Sequence, residues 1–179
     1  MMRPPFPTPT AAEIAVVSAQ LGRPARGVIG IAARCVCGNP TVVATSPRLP
    51  DGTPFPTLYY LSHPAATAAI STLEATGVMA ELASDLRDEG VAGAYRAAHA
   101  SYLADRDAID IVDEIAGFSA GGMPDRVKCL HALAGHALAA GPGVNPIGDR
   151  ALELCTWSSA RCECAAPGAA AGSSAVTEA

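Results

Sequence analysis

The β-prone runs of this 179-residue chain are confined to residues 27–62, and most of the chain beyond them has helical periodicity. Sheet-forming and helix-forming stretches that do not alternate argue for an α+β fold rather than a parallel α/β one. Gly27 to Ala33, Thr41 to Thr45 and Thr57 to Leu61 are short apolar or β-branched runs. Cys35 to Pro40 and the turn-rich Pro50 to Pro54 separate them, so a small three-stranded antiparallel sheet is expected. Ahead of it, Thr10 with Glu13 forms a capping-box pattern, and Ile14, Val17 and Leu21 share a face, predicting a helix over 11–21.

Behind the sheet, Pro64 suits the first turn of a helix over 64–75. Further helices are expected over 78–87, 91–109, 124–140 and 150–157. Only 4% of residues are aromatic although 50% are hydrophobic, so these elements must pack through Ala, Val, Leu and Ile at close range. From Ser158 the composition falls to Ala, Gly and Ser. The sequence therefore predicts one α+β domain over 10–157 and a disordered Ala/Gly-rich tail over 158–179.

Charge narrows the function classes. The formal net charge is -5, and Lys128 is the only lysine among the 12 basic residues. With no basic run to neutralise phosphates, no nucleic-acid partner is expected. No stretch approaches the roughly 18–20 apolar residues of a membrane span. Met1 to Pro9 lacks the apolar core of an export signal, so a cytoplasmic location is expected. In a reducing compartment six cysteines serve metal binding or chemistry more readily than disulfides.

The leading candidate site is therefore a metal site. Cys35 and Cys37 lie in a strand-connecting turn, His63 ends the third run, and Cys129 and His131 fall in the 124–140 helix. Thiolate and imidazole donors suit zinc, with an iron–sulfur cluster as the alternative. On a regular helix Cys129 and His131 point about 200° apart, so they share an ion only if the helix is distorted there. His136 stands about 10 Å from Cys129 along the axis, which suits a supporting role better than ligation. The competing reading of these residues is buried free thiols and a hydrogen-bonded core histidine. Cys162 and Cys164 form a second C-x-C pair, but their surroundings mark them as incidental tail residues. Glu74, Glu81, Asp85, Asp88, Asp105, Asp107 and Asp110 read as solvated helix faces, and His99 as structural.

A rival candidate is an anion site. Gly121 and Gly122 precede Pro124 at the expected helix start, where free N–H groups and the helix dipole favour phosphate or carboxylate. Arg126 and Lys128 follow, and Arg34 and Arg48 could approach from the sheet. A phosphate-containing small molecule would be the ligand of such an enzyme or sensor. Nucleophilic catalysis by Cys129 or Cys35 is a third reading, with no nucleophile motif around either.

Several stretches together resemble the bacterial family catalogued as domain of unknown function 501. They are Arg34 to Pro40, Pro54 to Leu61, Arg126 to His131 and Asn145 to Gly148, and the likeness covers most of residues 10–157. The resemblance implies a cysteine retained at Cys35 and a Lys-Cys-Leu-His element at Lys128 to His131. It implies an actinobacterial chain, with a phosphate link through neighbouring genes for polyphosphate breakdown. Family members often have a cysteine where this chain has His63. A Cys-to-His exchange is typical of a metal ligand, so the resemblance supports His63 as a ligand and disfavours an all-thiolate cluster. It also ranks Cys37 below the others, because that position is not always cysteine.

Overall fold

The computed structural model describes residues 1–162 and 164. The fold is α+β: a three-stranded antiparallel sheet and, among the described residues, six α-helices. Helix α1 (Ala11–Leu21) opens with the expected capping box, Thr10 accepting from the Glu13 N–H while the Glu13 carboxylate accepts from the Thr10 N–H. Strands β1 (Val28–Arg34), β2 (Pro40–Thr45) and β3 (Tyr59–Leu61) lie in the order β1-β2-β3. Ile31 faces Val43 and Val42 faces Leu61 across the ladders.

Period-2 alternation divides β2 between two cores. Val43 turns outward and packs with Ile31 under Val17 of α1. Val42 and Ala44 turn inward with Tyr59 and Leu61. On that side α5 (Leu130–Ala140) lies directly against the strands, and α2 (Pro64–Ala75), α3 (Val78–Asp85), α4 (Glu89–Asp107) and α6 (Pro146–Leu154) complete the same core around it.

Helix α5 lies in the middle, against β3 on one side and α6 on the other. Both contacts are made at a glycine, tightly at Gly135 and with no room for a side chain at Gly148. A Cβ on Gly135 would stand 3.1 Å from the Tyr59 carbonyl oxygen, and one on Gly148 would collide with the Leu133 carbonyl. This close approach is how a core with few aromatic rings fills its volume.

The helix expected from Pro124 begins instead at Leu130. A helix through this stretch would bond the Leu130 N–H to the Arg126 carbonyl. Tyr95 Oη donates to that carbonyl from α4 (3.1 Å), and Leu130 N–H donates to Glu74 Oε1 of α2 (2.7 Å). Residues 120–129 form a loop in which the Gly121 carbonyl accepts from both Lys128 N and Cys129 N. Gly121 and Gly122 have φ of 71° and 97°, a region in which L side chains are strained.

The last helix is also displaced, running Pro146–Leu154 with Asn145 as its N-cap. Two terminal segments add to the fold beyond the expected 10–157 span. Met2 N donates to the Ala32 carbonyl, Arg3 pairs with Asp105 at 2.7 Å, and Phe6 packs against the core at Gly30. Asp105 is thus no solvated carboxylate: it is buried and also accepts from Tyr59 Oη (2.8 Å). At the other end, just past the buried Trp157, the Ser159 carbonyl accepts from Val36 N. The stretch of the expected tail at Glu163 and 165–179 lies outside the described residues. No helix among the described residues is long and apolar enough to cross a membrane.

Candidate metal centre

The β1–β2 connection is too short to be anything but a tight turn. Cys35 N donates to the Asn39 carbonyl (2.9 Å) and Gly38 N donates to the Cys35 carbonyl (2.8 Å). These bonds close a loop that presents Cys35, buried, and Cys37, exposed, from one backbone hairpin. After α6 the chain returns to this turn, tied by the Val36–Ser159 bond, and brings Cys162 and Cys164 against it. The sulfur atoms of Cys35, Cys37, Cys162 and Cys164 all lie within 4.8 Å of one another, and Cys37 Sγ is 3.4 Å from Cys164 Sγ. This arrangement can hold a metal ion.

Thiol chemistry in the group is uneven. A hydrogen bond from the Asn39 backbone, and then contact with Cys164, lowers the Cys37 thiol to about 7. Burial, with the neighbouring thiols adding to it, raises Cys164 to about 12. Four thiols this close cannot all ionise without a cation, and one of them gives up its proton first.

His63 stands beside this group. It is the N-cap of α2, its Nδ1 accepting from Ala66 N at 3.4 Å. That bond leaves the ring proton on Nε2, 3.1 Å from Cys164 Sγ, in place to donate to a thiolate. Its ring also lies 5.5 Å from that of Trp157.

Cys129 and His131 are elsewhere. They meet Glu74, with one donor atom from each of the three within 4.8 Å of the others. Glu74 follows His63 by eleven residues on α2, about 16 Å along the helix axis, so one ion cannot serve both places. The single ligand set expected from the sequence is divided in two. Cys129 is the residue before α5, with extended φ of -151°, and this frees it from the 200° separation that a continuous helix would impose. Hydrogen bonding to His131 lowers the Cys129 thiol, and the same contact, with Glu74 adding to it, raises His131.

The buried His136 takes no part in either place. It stacks on Tyr59, receives a hydrogen bond from Asn145 (3.2 Å), and burial lowers it to about 4. His99, on α4, is bonded to Ser119 Oγ at 2.9 Å.

The anion candidate loses its helix start, because α5 begins nine residues after Gly121 and its first N–H is taken by a carboxylate. Arg34 pairs with Glu13 and Arg48 with Glu114 (2.7 Å), so neither converges on the glycines. Gly122, Arg126 and Lys128 do line one cavity of about 430 Å³, with Ser119 and Asp125.

Sequence reasoning sets aside Cys162 and Cys164, though the mirrored C-x-C spacing at 35–37 and 162–164 is a signal. It also reads Glu74 as a solvated residue, and no pattern along the chain points otherwise.

Fold and site together define an α+β protein with a cysteine cluster that can bind a metal. Residues 31–153 match the family described as Protein of unknown function (DUF501), and the chain belongs to that family. The matched segment includes Cys35, Cys37, His63, Glu74, Cys129 and His131 and ends before Cys162. No curated protein and no solved structure matches the chain.

Proposed function

We propose that the protein is a zinc-binding protein whose ion is held by Cys35, Cys37, Cys162 and Cys164, with His63 donating to Cys164 from outside the ligand set. The observation that carries this reading is the mutual closeness of the four sulfurs, all within 4.8 Å. A tetrahedral ion with Zn–S bonds of about 2.3 Å needs sulfurs about 3.8 Å apart. A cluster of several irons spaces its thiolates more widely, which favours one ion over an iron–sulfur centre. Four protein ligands fill the tetrahedron, so the role is structural: the ion fastens the C-terminal segment to the β1–β2 turn. Metal-held thiols suit a reducing compartment, in keeping with a cytoplasmic location.

Elemental analysis of anaerobically purified full-length protein, with an absorption spectrum of the same sample, tests this reading. The expected result is colourless protein containing zinc, with one equivalent lost in the double variant Cys37→Ser, Cys164→Ser. Iron with a brown colour would replace zinc by a cluster. Protein that carries no metal and melts at the same temperature with and without chelator would sink the reading.

The second reading, an anion-binding enzyme or sensor, draws on the cavity beside Gly122, Arg126 and Lys128. Gly121 would act there only through the backbone turn. Phosphate-dependent thermal stabilisation that disappears in Lys128→Ala, with metal content unchanged, would favour it.

A further inference from the structure

We infer a second metal site, independent of the four-thiol group, in which Glu74, Cys129 and His131 hold a zinc-class divalent ion with the fourth position open. Three unlike donors meet here, a carboxylate oxygen, a thiol sulfur and an imidazole nitrogen, within 4.8 Å of one another. Each is half-buried, so a fourth ligand can enter from solvent.

The hydrogen bonds around the cluster determine which atoms face the ion. His131 Nε2 lies 3.2 Å from the Thr67 carbonyl oxygen, which can only accept, so Nε2 carries a proton. Ser71 Oγ lies 3.1 Å from the same nitrogen. A ring held through one N–H by a backbone carbonyl, with its other nitrogen turned to the site, is the usual orientation of a metal-ligating histidine. Nδ1 therefore faces Glu74 Oε1 at 3.3 Å. In a neutral ring that contact sets lone pair against lone pair, and either a proton on Nδ1 or a metal ion between the two atoms relieves it. Two ligands each about 2.0–2.1 Å from zinc, at the tetrahedral angle, stand about 3.3 Å apart.

Glu74 is likewise positioned by the fold. Its Oε1 accepts from Leu130 N at 2.7 Å, and a carboxylate has further lone pairs for an ion. Cys129 completes the set because the Gly121 carbonyl accepts from its N–H and holds it outside the helix. The donor set resembles catalytic zinc sites, which keep three protein ligands and a water. All three residues lie within the family-matched segment, whereas the four-thiol group takes half its ligands from beyond it.

The rival for the position between Nδ1 and Oε1 is a proton, and differential alkylation separates the two. Metal-stripped full-length protein is treated with N-ethylmaleimide, with and without saturating zinc chloride, and modification at Cys129 is followed by peptide mass spectrometry. Zinc should slow modification of Cys129 at least tenfold, both in the wild type and in the Cys37→Ser, Cys164→Ser background. The protection should vanish in His131→Ala and in Glu74→Gln. The second variant keeps an amide oxygen for Leu130 N, so it remains informative if the first fails to fold. Equal modification with and without zinc would overturn the inference, as would protection that survives Glu74→Gln. Because each cysteine is read separately, failure here is distinct from failure of the four-thiol reading.

Discussion

The two cysteine-containing groups are built in opposite ways. The four-thiol group joins a surface turn to a segment more than a hundred residues later, and among the described residues that segment carries no helix or strand beyond α6. The Glu74–Cys129–His131 group is held by α2 and the start of α5, two elements packed in the main core, through bonds to Leu130 N and the Thr67 carbonyl. In the first group the ion would supply the closure. In the second the fold supplies the geometry, and the ion would be an addition to it. Loss of metal should therefore be felt as lost stability at the first and as lost binding at the second.

The largest effect should come from breaking the first group. Cys35→Ala should release one zinc and destabilise by at least about 3 kcal/mol, as loss of a structural metal does. For a domain of this size that lowers the melting temperature by roughly 6–12 °C. Cys129→Ala should change it far less, and equal drops in the two variants would erase the contrast.

Acid should attack the frame of the second group, and metal-free protein isolates that effect. His136 titrates near 4 in the fold, below its ordinary 6.5, because burial disfavours the charged ring. Its contribution is fully present above about 6.5 and is lost as pH falls through about 4, on the order of 3 kcal/mol in all. Denaturant midpoints between pH 7 and 4 should fall accordingly in the wild type, and the fall should shrink in His136→Gln. An unchanged pH profile in that variant would remove His136 as the cause.

Gly148→Ala sharpens the comparison further. The added methyl meets the Leu133 carbonyl, which is backbone and cannot swing aside, so α5 and α6 must separate at a cost of about 1–3 kcal/mol. The variant should lose zinc protection of Cys129 before it loses the four-thiol zinc. The reverse order would mean that α5 does not position the second group.

The smallest effect is expected at His63. His63→Ala removes an N-cap contact and the donor to Cys164, costing about 1 kcal/mol and roughly tenfold in zinc affinity. Complete loss of zinc would make His63 a ligand after all.

What the chain reveals of itself divides along the same line. The capping box at Thr10, the β-prone runs and the proline at the start of α2 are local signals, and each element forms where its residues dictate. The start of α5 departs from its local pattern because Tyr95 and Glu74, distant in sequence, take the hydrogen bonds that a helix from Pro124 would have made. The same tertiary bonds draw Glu74 out of solvent and put Cys129 and His131 on one side, which helical periodicity alone forbids. At the other end, the Ala-rich composition after Ser158 hides a C-x-C pair that only the return of the chain to the β1–β2 turn makes meaningful. Ligand types are legible in the sequence; which of them meet is a matter of tertiary structure.

X-ray absorption at the zinc edge, on full-length Cys129→Ser protein, tests the central claim most directly. With the second group disabled, one zinc per chain with four sulfur neighbours at about 2.3 Å is expected. A shell containing nitrogen or oxygen, or protein with no stoichiometric zinc, would contradict it.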